Sequence, residues 1–287
     1  MESITDIDDL RAAIRARRAR GDSIGFVPTM GALHGGHMGL AAVARQRVAC
    51  VVMSIFVNPL QFGPAEDFDA YPRPRDADVA AAHAGGVDIL FFPTADAMYP
   101  AGRAVAISAG DLDSRWEGAA RPGHFSGVLT VVAKLFHLVA PDVAFFGQKD
   151  IQQVTLIRAM VRDLDFPIAL VIVPTVRDAD GLALSSRNAY LSPEERRAAV
   201  AVPRALRAML AAWRARGVTD AGMLEALGRE VLGATPGVAI EYVGVAEPDR
   251  LEPVSAVASG SVAMIAVRVG RTRLIDNVIF DRETRGP

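Results

Sequence analysis

The chain has 287 residues, with 31 Lys+Arg against 33 Asp+Glu, a formal charge of −2 and 51% hydrophobic residues. Those values exclude general disorder and a polyanion binder held by bulk charge, and the length suits two cores of ~100–150 residues better than one. The longest apolar runs, such as residues 48–57, are about ten residues, where a membrane span needs ~20.

The first twenty residues hold Asp6, Asp8, Asp9 and five arginines, with no stretch resembling a signal peptide. Thr5 is expected to cap a helix whose apolar face includes Ile7, Leu10 and Ile14. A strand is expected over 24–27, ending at Pro28, then a helix over 36–47 and a buried strand over 48–57. The lone Cys50 in that strand cannot form an intramolecular disulfide and fits a reducing compartment, so a soluble, cytoplasmic protein is expected. The alternation continues: helix 76–84, strand 87–92, helix 125–139, strand 143–146, helix 151–163 and strand 168–173. It argues for βαβ units in a Rossmann-like, doubly wound parallel sheet, within an α/β domain over residues 1–175.

Residues 176–287 change character. Ser192-Pro193-Glu194-Glu195 starts a helix running to about Arg216, and Thr219 starts another. Strands follow over 239–245, 262–269 and 272–279, the last two joined by a hairpin at Gly270-Arg271. This is the pattern of a second, smaller α+β domain.

Polar clusters follow the predicted strands, and ligands of open α/β sheets bind outside the carboxyl ends of strands. They are 28–37 (PTMGALHGGH), 58–63 (NPLQFG), 147–150 (GQKD) and 184–188 (LSSRN). His34 and His37 are three apart at a helix start, where imidazoles and backbone N–H groups can serve a triphosphate. Two histidines without a role in a loop are the plain alternative, and a zinc pair of the HExxH type lacks the required spacing and glutamate. Lys149 can reach an anion or be an ordinary solvated lysine. It is one of only two lysines, and the other, Lys134, sits in a helical pattern. Asp150 and Gln153 have the spacing of a capping box. Ser185-Ser186-Arg187 suits a pyrophosphate or a turn. Arg121 and His124 are surface polar groups or helpers of a carboxylate substrate.

The stretches PTMGALHGGHMGL, SIFVNPLQFGPAEDFDAYPR, RPGHFSGVLTVVAKLF, FFGQKDIQQ and DGLALSSRNAYLSPEER, collinear from about Phe26 to Arg196, resemble the pantothenate synthetases (pantoate–β-alanine ligases). These belong to the nucleotidylyltransferase superfamily with its HxGH motif. The resemblance implies ligation of pantoate and β-alanine at the expense of ATP, with Mg²⁺, through a pantoyl adenylate. It implies an ATP site of Met30, Gly31, Ala32, Leu33, His34, Gly35, Gly36, His37, Gly147, Gln148, Lys149, Asp150, Val176, Leu184, Ser185, Ser186 and Arg187. His37 is the expected catalytic residue, and Gln61 and Gln153 the expected holders of the small substrates. A homodimer is implied, and neither a nucleic-acid partner nor a membrane is expected. Phe56 and Phe62 are offered as exposed apolar residues for such a dimer. The sequence departs from the family where Gly35 replaces a common Glu and Leu184 a common Met. The stretch Arg75-Asp76-Ala77-Asp78 carries fewer carboxylates than in some relatives, so no protein ligand of the metal is assigned. The second domain is expected to close over the site when Arg187 contacts ATP.

Overall fold

Six short strands, all parallel, carry the first part of the chain. A computed structural model describes residues 1–64 and 66–282. The strands are β1 (Glu2–Ile4), β2 (Ile24–Thr29), β3 (Cys50–Ile55), β4 (Ile89–Phe91), β5 (Val143–Gly147) and β6 (Ala169–Val173), in the order β1-β4-β3-β2-β5-β6. Every neighbouring pair is parallel. The expected doubly wound sheet is therefore present, with β1 added at its edge, a strand too short to leave a periodic signal.

Both faces of the sheet are covered, as parallel sheets require. Phe26 packs on Phe136 of the helix His124–Val139, with ring centroids 6.4 Å apart. The next residue, Val27, turns to the opposite face and joins Leu40, Ala41 and Ala44 of the helix Gly35–Arg45. Residues such as Phe26 and Phe136, fully buried, each contribute about 1.5–3 kcal/mol over exposure.

The chain moves from β2 outward to β3 and later to β5 on the other side, so the strand order switches between β2 and β5. Pro28 lies within β2 rather than ending it. Thr29 accepts from Phe56 N–H on the β3 side, so Pro28 faces β5. There the β2–β5 ladder has ended at Phe26↔Ala144, and the proline's missing donor costs no sheet bond. The two strands thus part at their carboxyl ends, the arrangement that opens a crevice at a switch point.

Helix ends follow local chemistry. Asp6, not Thr5, caps the helix Ile7–Ala19, accepting from Asp8 and Asp9 N–H. The helix expected to run to Arg216 is two, Pro193–Ala199 and Ala201–Arg216. Pro203 explains the break: it has no N–H and its ring opposes the carbonyl four residues back, at Ala199.

The chain divides into two compact units: Met1–Gly147 with Leu156–Pro174, and Gln148–Thr155 with the described residues from Thr175 onward. In the second, β7 (Val238–Ala246), β8 (Val262–Val269) and β9 (Thr272–Ile279) form an antiparallel sheet. It shares one core with the helices Ala201–Arg216 and Ala221–Gly233, including Leu206, Met209, Leu224, Val243, Ile265 and Phe280. No helix among the described residues is long and apolar enough to cross a membrane.

Candidate active site

The loop after β2 is held from beneath. Gly31 (φ +86°) and Ala32 (φ +49°) are left-handed, and the buried Asp78 carboxylate accepts from Ala32 N–H at 3.0 Å and Leu33 N–H at 2.7 Å. A Cβ on residue 31 would meet Asp78 Oδ2 and Ile55 Cγ2, each at 2.9 Å, so the loop needs glycine there for both space and conformation.

That loop delivers the histidines to the start of the helix Gly35–Arg45. His34 is its N-cap, and its Nδ1 accepts from Gly36 N–H at 3.1 Å. His37 closes the capping box, its Nδ1 accepting from His34 N–H at 3.2 Å. The rings lie 4.1 Å apart, tilted by 38°. With both Nδ1 atoms acting as acceptors, each neutral ring carries its proton on Nε2. Two N–H donors therefore stand at a helix N-terminus, a place that favours anions. Gly35 occupies the first helical turn without loss of either histidine contact.

Gln61 meets the same loop at Met30. It is 8% exposed; its Oε1 accepts from Asn58 Nδ2 at 3.0 Å and its Nε2 lies 3.0 Å from Met30 Sδ. Asn58 is held in turn by the Tyr99 hydroxyl at 2.8 Å and donates to Gly127 O at 3.1 Å. Glycine at 127 lets the helix His124–Val139 approach this turn, since a Cβ there would meet Gln61 N at 2.7 Å. The Gln61 carbonyl accepts from His124 Nδ1 at 2.8 Å, and His124 Nε2 lies 3.0 Å from Arg121. Arg121 forks onto Glu66 at 2.6 and 2.8 Å. Burial, then the Arg121 charge, push the His124 pKa down to about 4. Burial raises Glu66, yet the Arg121 fork outweighs it and holds the carboxyl below its usual range. Arg121 and His124 are thus internal supports of the Gln61 backbone rather than surface groups. Phe56 is buried against Tyr99, and Phe62 packs edge-on against Phe68 and Tyr71, which corrects the expectation that both are exposed.

The remaining expected residues, Gly147 at the end of β5 apart, belong to the second unit. Gln148, Lys149 and Asp150 form one 3-10 turn, with Lys149 Nζ 3.8 Å from Asp150 Oδ1, and Gln153 lies in the first turn of the helix that follows. Val176 and Leu184 meet across a hairpin, Leu184 N–H donating to Val176 O at 3.0 Å. Ser185 then caps the 3-10 turn Ser186–Tyr190, its hydroxyl accepting from Arg187 N–H at 3.3 Å. Thus Met30–His37 come together with Gln61, and Val176 with Leu184–Arg187.

A metal does not fit the acidic first turn of the helix Arg75–Ala84. Both Asp78 oxygens already accept backbone N–H groups, and no cluster of three His, Cys, Asp or Glu among the described residues could hold an ion. Sequence reasoning missed Asp78 as the prop of the glycine loop, as well as Tyr99 and Asn277. The available signal for the last was a polar pair, Asp276-Asn277, set between the apolar pairs Leu274-Ile275 and Val278-Ile279 of one strand.

A family model described as pantoate-beta-alanine ligase matches residues 2–279. The chain belongs to that family. It is 51% identical to a pantothenate synthetase of Acidobacterium capsulatum over 98% of this chain and 97% of the relative, and 50% identical to one of Moorella thermoacetica over 98% and 99%. Its structure is similar to the pantothenate synthetase of Thermus thermophilus, with a TM-score of 0.93 and 47% identity over 98% and 100% of the two chains. A pantoate-beta-alanine ligase from Francisella tularensis, complexed with beta-gamma ATP and beta-alanine, matches with a TM-score of 0.81 and 32% identity over 99% of both chains. Family membership therefore extends across both units, including the C-terminal third, where sequence motifs were weakest.

Proposed function

We propose that this chain ligates pantoate to β-alanine, consuming MgATP through a pantoyl adenylate and releasing pyrophosphate and AMP. The observation that carries this reading is the histidine capping box at the helix N-terminus, set after the central strand at the switch point. The names of its relatives support the substrates.

Pantoate carboxylate attacks the α-phosphorus, and pyrophosphate leaves. The Nε2–H groups of His34 and His37 donate to phosphate oxygens, and His37 stabilises the charge that develops there. Met30–Leu33, Gly35 and Gly36 bring backbone close to the nucleotide; Gly147, Gln148, Asp150, Val176 and Leu184 frame it. Lys149, Ser185, Ser186 and Arg187 neutralise the phosphates. Gln61 meets pantoate with an amide whose N–H lies against a thioether, a weak acceptor that a carboxylate readily replaces. Gln153 supplies a second amide. A neutral amide orients the carboxylate without an ion pair that would blunt its attack. The β-alanine amine then attacks the acyl carbon and AMP leaves. Mg²⁺ arrives as part of MgATP. A homodimer and a cytoplasmic location accompany this reading, the latter in keeping with the buried, unpaired Cys50.

The test is ATP–pyrophosphate exchange. It should require pantoate and proceed without β-alanine. Exchange without pantoate, or with a phosphate acceptor in its place, would point to a nucleotidylyltransferase and overturn the ligase reading.

A further inference from the structure

Two adjacent residues of β9 tie together the two segments of the second unit that carry its expected phosphate ligands. Asn277, 1% exposed, donates from Nδ2 to the carbonyls of Gln148 and Lys149, each at 2.9 Å, while its Oδ1 accepts from Gln148 Nε2 at 3.1 Å. Asp276, 3% exposed, accepts the Arg177 fork at 2.6 and 2.9 Å. Arg177 in turn donates to Gly181 O at 3.0 Å and pairs across the hairpin with Ala183, one residue before Leu184. The Asp276 carboxylate also accepts from Asn277 N–H at 2.8 Å, which links the two anchors.

Neighbouring side chains on a strand point to opposite faces. Asp276 shares its parity with Leu274 and Val278, which enter the core of this unit, and Asn277 takes the other face. One dipeptide can therefore hold two segments that approach β9 from different sides. Neither residue is needed for the sheet, because ladder bonds come from the backbone. An apolar pair would have served packing better, since burying an ion pair seldom gains net stability.

We propose that Asp276 and Asn277 are positioning residues that set the Lys149 turn and the Ser185-Ser186-Arg187 turn at a fixed spacing for the ATP phosphates. The inference rests on the ligase reading above. A lysine released from this anchor still finds a phosphate in the ground state but loses its alignment in the transition state. The loss therefore falls on turnover more than on the KM for ATP.

The experiment is a double-mutant cycle on the full-length protein, read by pantoate-dependent ATP–pyrophosphate exchange. Asn277→Ser should lower the maximal exchange rate about ten-fold with little change in the ATP KM, and Lys149→Ala by ~10²–10³. The double variant should exchange no more slowly than Lys149→Ala alone, because the anchor acts through that lysine. Unchanged exchange in Asn277→Ser, or losses that multiply in the double variant, would overturn the proposal while leaving the ligase reading intact. If Asn277→Ser does not fold, Asn277→Asp takes its place in the same cycle, and Asp276→Asn is cycled with Arg187→Ala. The former keeps the shape and turns an oxygen towards the two carbonyls. A wild-type protein without pantoate-dependent exchange would defeat the ligase reading instead.

Discussion

His124 is neutral because burial and the nearby Arg121 guanidinium oppose its charging together. Its ordinary pKa of 6.5 falls to about 4 in the folded chain. The unfolded chain therefore takes up a proton below pH 6.5 that the native protein refuses until about pH 4. This stability is complete above pH 6.5, is lost progressively down to about pH 4, and amounts to about 3 kcal/mol at most. His124→Asn keeps a donor for the Gln61 carbonyl without a titrating ring. Urea midpoints between pH 7 and pH 4 should fall more steeply for the wild type than for this variant; parallel slopes would remove His124 from the account. Glu66, held low by Arg121, contributes a separate loss only at lower pH, through its own protonation.

The two lysines make a second comparison at this scale. Lys134 donates to the Met98 carbonyl and sits 5.9 Å from the Tyr99 ring centroid, so it is more than an ordinary helix-surface residue. Arginine there disturbs that packing, and Lys134→Arg should cost about 1 kcal/mol of stability with adenylate formation unaffected. Lys149→Arg should do the reverse. Its melting temperature stays near wild type, while single-turnover adenylate formation falls between wild type and Lys149→Ala, because a planar fork cannot place three rotating donors around a phosphate. Wild-type rates in Lys149→Arg would deny Lys149 the role given to it.

At the scale of elements, the loop between β2 and the histidine helix depends on one carboxylate from another helix. Asp78→Asn presents an amide NH₂ to one of two backbone N–H donors, so it should cost about 1–3 kcal/mol and raise the KM for ATP. Ser192→Ala provides the contrast. It removes a capping box remote in sequence from every expected ligand turn except 185–187, and should cost about 1 kcal/mol without changing the exchange rate. Thermal melts and exchange assays on the two variants separate a prop of the site from a prop of the fold. Equal effects on the ATP KM would show that the loop does not need Asp78.

For the whole molecule, the expectation of closure becomes a scattering experiment. A saturating non-hydrolysable ATP analogue should reduce the radius of gyration, and Arg187→Ala should abolish the change. An unchanged radius in the wild type counts against closure. Much of the architecture was legible beforehand because apolar period and glycine punctuation are local properties. The helices around Leu10, Val128 and Leu206 and the strands around Phe26, Val51 and Ile265 all declare themselves that way. Sequence by itself determined the alternating parallel sheet, the smaller antiparallel sheet, the histidine pair and the family blocks. Tertiary structure decided that Pro28 continues its strand, since only the end of the β2–β5 ladder makes its missing donor harmless. It also decided that Asp78 holds backbone rather than metal, and that Asp276 and Asn277 anchor turns about a hundred residues away. The physical reason is common to all three: what a polar group does when buried depends on which partner the fold brings to it, and that partner is far off in sequence.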